Sequence, residues 1–164
     1  MEESEIRVAK IRNGTVIDHI PAGRALNMLH ILCLPEKGNI ISILINAPSS
    51  KYGRKDILKI EDLELDAAAA NRISLVAPTA TINIVIDFNI VEKRAVSIPD
   101  VITGILECIN PNCISRKEGE HVLPVFFTLS RNPVAVTCSY CSRQMGEQEI
   151  SMQLKLASSK HAGT

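Results

Sequence analysis

The sequence predicts an α+β protein whose first unit has a ferredoxin-like fold, an antiparallel sheet with two helices on one face. Strand-like and helix-like segments follow one another as strand, helix, strand, strand, helix, strand, with one extra strand. A doubly wound parallel sheet is excluded because no helix fits between the apolar runs around Ile45 and Ile57. After Pro99 the composition changes, and a second, small C-terminal all-β unit is predicted there.

The first half of the ferredoxin-like unit contains one helix between two strands. Gly14–Ile20 is apolar and β-branched, and it stops at Pro21, which is favoured in a first helical turn. Apolar residues then recur at intervals of three and four from Ala22 to about Leu34, which predicts one helix. Ile40–Asn46 is predicted as a buried strand closed by a Pro-Ser-Ser turn.

The second half likewise contains one helix between two strands, followed by one extra strand. Lys55–Glu61 is predicted as a strand although its alternation is imperfect. A helix follows from about Asp66 to Val76, since Pro78 ends it. Two further strands are predicted at Thr81–Ile86 and Phe88–Lys93.

A linker between two domains is predicted at Ala95–Val101, where helical periodicity is absent and Pro99 interrupts any strand. We therefore expect domains at 1–100 and 101–164, with the linker relaying movement between them. Short β-rich runs follow at Leu123–Leu129 and Val134–Thr137, and the small polar tail from Ala157 is expected to fray.

Charge and composition exclude several classes of protein. Lys+Arg and Asp+Glu both number 18, and neither unit is basic: the part up to Asp100 has 12 basic and 13 acidic residues, and the remainder has six and five. Bulk electrostatic binding to nucleic acid or to a membrane is therefore not expected. The acidic N-terminus is unlike a signal peptide, and five cysteines fit a reducing compartment, so we expect a soluble cytoplasmic protein.

Four of the five cysteines form two pairs in the second unit. Cys108 and Cys113 have four residues between them, Cys138 and Cys141 have two, and each pair spans a turn. This spacing favours one structural zinc ion per chain, held by four thiolates with no open position for catalysis. Disulfide pairing, a redox C-x-x-C motif and unrelated buried cysteines remain as alternatives, and His121 is a possible substitute ligand. The fifth, Cys33, is most simply a core residue of the first helix.

Polar residues on the strands of the first unit have two interpretations. Asp18 and His19 could be solvated strand-end residues, or a carboxylate for hydroxyl groups beside an imidazole for phosphate. Lys59 and Lys93 could likewise be ordinary surface lysines or could neutralise a triphosphate. The sequence contains no Walker motif, GxGxxG or HExxH, and no set of residues nominates a catalytic site.

Four stretches together resemble a known family. They are GTVIDHIPAG from Gly14, YGRKDILKIE from Tyr52, APTATINIV from Ala77 and the cysteine cluster with NPNCIS. In this order they are similar to the regulatory chain of aspartate carbamoyltransferase, from about Arg7 to about Leu156. The resemblance implies a non-catalytic chain that forms a homodimer through its first domain, binds ATP, CTP and often UTP there, and docks on the catalytic chain through its zinc domain.

The resemblance also implies roles for single residues. Val8 and Ile11 would contact base and ribose, Asp18 the ribose hydroxyls, and His19 and Lys93 the phosphates. Lys59 would lie near ribose and base, Asn83 would line the site, and backbone groups of Ile90 would read the base edge. These nucleotide-binding residues are Val8, Ile11, Asp18, His19, Lys59, Asn83, Ile90 and Lys93.

Two departures from relatives affect this expectation. Ala9-Lys10 stands where relatives carry a Glu-Ala pair, and Phe88 replaces a tyrosine. The first change removes an acidic residue from the edge of the site. It leaves open which base the site prefers and whether each effector activates or inhibits. The competing interpretations of the chain are a zinc-ribbon module for nucleic acid or protein interaction, and a thiol redox enzyme that would need Cys138 or Cys141 free.

Overall fold

The computed structural model describes residues 9–34 and 38–159, and the side chains of this range up to Leu154. Its elements are β1 (Gly14–Pro21), α1 (Ala25–Ile31), β2 (Ile41–Ser49), β3 (Gly53–Glu61), α2 (Ala67–Val76), β4 (Thr81–Ile86), β5 (Asn89–Ala95), β6 (Val101–Thr103), β7 (Val125–Arg131), β8 (Val134–Cys138), β9 (Gln144–Gly146) and α3 (Glu147–Ser159), with a 3₁₀ turn at Ile114–Arg116. None of the helices in these ranges is long and apolar enough to cross a membrane.

The first sheet has the order β2-β3-β1-β4-β5, and all its neighbours are antiparallel. This is the strand order of a ferredoxin-like sheet with one extra edge strand, which confirms the predicted fold class. Ile17 pairs with Leu58 and with Ile82, and all three side chains are fully buried in the core that includes α1 and α2. Side chains alternate between the faces of a sheet, so the residues next to these three point away from the helices.

The helix α1 is shorter than predicted, Ala25–Ile31 rather than Ala22 to Leu34. Before it, Gly23 has a φ of +88° and the N–H of Arg24 bonds to the carbonyl of Pro21, which forms a turn. After it, Cys33 adopts a left-handed φ of +54°, and this conformation ends a helix. Helix α2 begins where predicted because the side chain of Asp66 accepts from the N–H of Ala69.

The structure differs from the prediction at one end of two strands, β2 and β5. Strand β2 continues past Asn46 to Ser49 after a register shift, because it is an edge strand, where Pro48 costs no ladder hydrogen bond. Phe88 lies outside β5: Asp87 and Phe88 both have positive φ, of +46° and +66°, and form the two-residue turn between β4 and β5.

The second sheet has the order β6-β7-β8-β9 and is also antiparallel. The segment before it is held in place: Val96 and Ile98 are buried, and β7 donates from Thr128 Oγ1 to the carbonyl of Pro99 and from Arg131 Nε to that of Ile98. The predicted linker therefore packs against the second sheet only from Ile98 onward, whereas Ala95 ends β5 and the N–H of Val96 bonds to the carbonyl of Ala80.

Helix α3 was not predicted, since the second unit was expected to contain strands and no helix. Its N-terminus is stabilised because Glu149 accepts from the N–H of Gly146 and because Glu147 and Glu149 lie in the first turn. Ile150 and Leu154, four residues apart, are buried, and α3 packs against both α1 and α2. The expected fraying from Ala157 is wrong up to Ser159, where the described helix ends.

Candidate functional site

Three predicted residues lie in one row across the open face of the first sheet. Lys59 on β3 and Asn83 on β4 both pair with Val16 of the central strand β1, and Asn83 also pairs with Lys93 on β5. The neighbouring row is the buried one that faces the helices, so this row faces away from them. Two lysines therefore flank a buried asparagine on a surface where a ligand can lie across the strands.

Asp18 and His19 lie at the end of the same face, where β1 is irregular. The register of β1 against β3 shifts between Ile17 and Ile20, and His19 takes a left-handed φ of +57°. Lys55 Nζ lies 2.9 Å from Asp18 Oδ1, an ion pair that the sequence analysis missed. Lys55 could have been identified as a site residue from the sequence, since it belongs to the GRKD stretch and lies on the same face of β3 as Lys59.

The ionisation of Asp18 is set by competing effects. Burial raises the pKa of Asp18, but the hydrogen bond from Lys55, the bond from the His19 backbone N–H and the nearby positive charge outweigh burial and lower the pKa. Asp18 is therefore a carboxylate at neutral pH. Because a carboxylate has about four acceptor positions, it retains capacity for the hydroxyl groups of a ligand.

This lowered pKa predicts a dependence of stability on pH. A carboxyl group with a lowered folded-state pKa stabilises the protein above its unfolded pKa, about 3.9, and that contribution disappears as pH falls through the folded pKa. We expect the urea midpoint of Asp18→Asn to lie below that of the original chain at pH 6 and to approach it below about pH 4. Asp62→Asn, at an exposed carboxylate, is the control. A difference between the Asp18→Asn and original midpoints that persists unchanged at pH 3 would contradict the ion pair.

Buried polar atoms on the open face lack partners. Of the described side chains, four have a buried atom with no hydrogen bond: Asn83 Oδ1, Thr81 Oγ1 and His19 Nδ1 belong to this face, and the fourth, Asn39 Oδ1, lies before β2. Thr81 pairs with Asp18 in the sheet, and it lies two residues before Asn83 on the same face of β4. Buried polar atoms in native proteins normally have partners, so three such atoms at one end of a sheet indicate a site for a polar ligand.

The segment before β1 lies beside this face. Lys59 Nζ donates to the carbonyl of Ala9 at 3.0 Å, and the Ile11 side chain is buried. The N–H of Phe88 donates to the carbonyl of Arg12, which ties the β4–β5 turn to the same segment. Val8, the remaining predicted residue of this segment, lies outside the described residues.

Ile90 is separated from the row of Lys59, Asn83 and Lys93. It pairs with Val85, two residues after Asn83, and its side chain is 61% exposed. The backbone of Ile90 therefore faces β4, whereas its side chain is largely exposed.

A groove of about 480 Å³ adjoins the irregular end of β1. The Tyr52 ring lies edge-on to the imidazole of His19, with centroids 6.0 Å apart. His19 is the one predicted residue in its lining, which comprises His19, Ile20, Pro21, Ala22, Tyr52, Gly53, Arg54 and Thr79. Tyr52 and the first residues of β3, Gly53 and Arg54, are thus a part of this region for which no ligand-binding role was predicted.

The four predicted cysteines of the second unit come together in one cluster. Their Sγ atoms all lie within 4.8 Å of one another, with 3.5 Å between Cys108 and Cys141 and 3.7 Å between Cys113 and Cys138. A tetrahedral metal bound at about 2.3 Å separates its sulfur ligands by about 3.8 Å. A disulfide requires about 2.05 Å, so the geometry fits a metal ion and excludes disulfide pairing.

Two turns present these thiols. The N–H of Cys113 bonds to the carbonyl of Asn110, and the N–H of Ser142, at a φ of +63°, bonds to that of Cys138. Burial raises the pKa of the Cys108 thiol to about 12, whereas a hydrogen bond from the backbone N–H of Arg143 lowers the pKa of Cys141 to about 6. A bound cation would favour the thiolate at both positions, which matches the chemistry of a four-cysteine metal site.

Comparison with known proteins matches both units. Residues 6–97 match the sequence model of "Aspartate carbamoyltransferase regulatory chain, allosteric domain", and residues 100–151 match that of the same chain's "metal binding domain". Relatives named aspartate carbamoyltransferase regulatory chain include that of Pyrococcus furiosus, 50% identical over 90% of this chain and 97% of the relative. The protein of Thermofilum pendens is 50% identical over 94% and 97%, and that of Sulfolobus acidocaldarius is 47% identical over 95% of each chain.

Proposed function

This chain belongs to the aspartate carbamoyltransferase regulatory-chain family, whose members are non-catalytic, and on that premise we propose that it senses nucleotides on the open face of its first sheet. As a regulatory chain it associates with catalytic chains and acts in pyrimidine biosynthesis. The proposed effectors are ATP, CTP and UTP. Nucleotide binding shifts the population of two quaternary states by the difference in affinity for them.

The unpartnered Oδ1 of Asn83, buried between Lys59 and Lys93, is the observation that carries this proposal. An amide oxygen accepts from amino or hydroxyl groups of a nucleotide, and the flanking lysines supply positive charge for its phosphates. Asp18 accepts from ribose hydroxyls, His19 lies beside the phosphates, and Val8, Ile11 and Ile90 contact ribose and base. Lys55, paired with Asp18, adds a cation at the same end.

Titration of CTP, then ATP, into the metal-loaded chain tests this proposal. We expect saturable binding that Lys93→Ala weakens about tenfold, which is about 1.4 kcal/mol. Lys117→Ala, which removes an exposed lysine of the second unit, is the matched control and should leave the affinity unchanged. A folded, metal-containing chain that binds neither nucleotide would overturn the nucleotide-sensing function.

We propose zinc as the metal of the four-cysteine cluster, one ion per chain, with a structural role. Four thiolates at tetrahedral separations suit zinc, and they leave no position for substrate. Cys108, Cys113, Cys138 and Cys141 would hold the ion, and the ion would fix the two turns on which the cysteines lie. We also propose a cytoplasmic location, since five cysteines, an odd number, fit a reducing compartment.

The second unit, residues 101–164, is proposed to dock on the catalytic chain. A groove of about 420 Å³ beside Cys141 is lined by Asn110, Ser142 and Arg143 among others, and β7 exposes Phe127 and Leu129. A polar groove at the proposed metal site, together with exposed apolar side chains on the same unit, suits a protein interface. The balanced charge of this unit is the reason that we propose no nucleic-acid or membrane partner.

The first unit, residues 1–100, is proposed to form the homodimer. Strand β2 is an edge strand of the first sheet, and it exposes Ile45, while Ile40 immediately before it is 64% exposed. An apolar edge with unpaired backbone groups is stabilised when a second chain covers it.

A further inference from the structure

Arg24 joins three helices of the two units. It is the residue immediately before α1, and its Nη1 donates to the carbonyl of Val76 at the end of α2, at 2.5 Å. Its Nη2 lies 2.9 Å from Glu147 Oε1 at the start of α3. One side chain therefore connects the helices of the first unit to the helix that follows the metal-bearing sheet.

Arg24 is also connected to the proposed nucleotide site through His19. The strand β1 carries Asp18 and His19 and runs directly into the turn in which the N–H of Arg24 bonds to Pro21. On the other side, Thr79 follows α2 and donates its hydroxyl to the carbonyl of His19 at 2.9 Å. His19 thus lies between the two chain segments that Arg24 holds together.

Glu147 is connected to the metal site in an equally direct way. It follows β9 without an intervening loop, and β9 pairs with β8, the strand that ends at Cys138. A displacement of α3 therefore displaces the strands that position two of the four cysteines, Cys138 at the end of β8 and Cys141 in the turn between β8 and β9. The ion pair is partly exposed, with side-chain exposures of 35% for Arg24 and 41% for Glu147, so its effect on stability is small.

We propose that the Arg24–Glu147 ion pair transmits nucleotide occupancy from the first unit to the second. This inference rests on the proposed nucleotide-sensing function. A nucleotide that moves His19 shifts the turn before α1 or the end of α2, and Arg24 passes that shift to α3. Coupling requires that the pair be stronger in one quaternary state than in the other. Arg24 and Glu147 are positioning residues, since neither is placed at the nucleotide or the metal.

The test uses the enzyme assembled from catalytic chains and this chain. The readout is the factor by which CTP or ATP changes the half-saturating concentration of aspartate, together with the Kd of CTP measured on the regulatory chain alone. We expect Glu147→Gln and Arg24→Gln each to reduce that factor at least threefold while the Kd changes less than twofold. The double variant should lose no more than Arg24→Gln alone, because Glu147→Gln removes only the ion pair that Arg24→Gln also removes, whereas Arg24→Gln further removes the bond to Val76.

Glu149→Gln is the matched control, since it makes the same charge change on the same helix but its carboxylate bonds within the second unit, to Gly146. It should retain the full response. An equal loss in Glu149→Gln, or an unchanged response in Glu147→Gln, would overturn this inference and leave nucleotide sensing standing. If the original chain binds neither CTP nor ATP, the proposed function fails, and this inference fails with it.

Discussion

Removal of the metal is expected to unfold the second sheet while the first sheet persists. Structural zinc in small domains contributes on the order of 10 kcal/mol, and the clustered cysteines lie between β6 and β7, at the end of β8 and in the turn that follows β8. Treatment with a chelator, or Cys113→Ser, should therefore abolish hydrogen-exchange protection in β7 and β8 and reduce it in α3. Protection in β1, β3 and β4 should remain, because their core includes α1 and α2.

Cys33→Ser is the control for this experiment, since Cys33 is a thiol of the first unit outside the cluster. It should leave both the metal content and the exchange pattern unchanged. If Cys113→Ser loses the metal and keeps full protection in β7 and β8, the cluster has no structural role.

The substitution Asp56→Ala is expected to destabilise the first unit by about 3–9 kcal/mol, because it leaves three backbone donors without a partner at about 1–3 kcal/mol each. Asp56 is fully buried, and it accepts from the N–H groups of Gly23, Ala25 and Asn46 at 2.9–3.1 Å. These donors belong to the turn before α1, to its first residue and to the irregular part of β2. Urea unfolding followed by circular dichroism measures the loss.

Asp66→Ala provides the scale for this measurement. Asp66 accepts a single backbone N–H, from Ala69, as the N-cap of α2, so its loss should cost about 1 kcal/mol. Equal losses of unfolding free energy for the two substitutions would contradict the expectation that each of the three hydrogen bonds of Asp56 contributes separately.

Much of the fold is determined by local pattern. The runs at Thr81–Ile86 and around Gly14–Pro21 are strands in the structure because their apolar, β-branched side chains fit a half-buried sheet. Asp66 and Pro78 bracket α2 as expected, since a capping side chain and a missing N–H act within one helical turn. The four cysteines were identifiable by spacing alone, because two short turns suffice to present two thiols each.

Elements that depend on distant partners were missed. The pattern at Ile150 and Leu154 is too short to predict a helix alone, and α3 is stable because it packs against α1 and α2 with those two side chains buried. The left-handed conformations of Cys33 and Phe88 end α1 and form the β4–β5 turn, although neither residue type favours positive φ.

By itself, the sequence determined which residue types are available for chemistry: four thiols at turn spacing, and lysines, an aspartate and an asparagine on strands. Only the tertiary structure decided which of them meet. Cross-strand register placed Lys59, Asn83 and Lys93 in one row, and the irregular end of β1 brought Asp18 to Lys55, 37 residues away. The ion pair of Arg24 with Glu147 spans 123 residues. Local propensity acts over a few residues, whereas register and helix packing are fixed by burial of the whole core, so such contacts follow from the fold alone.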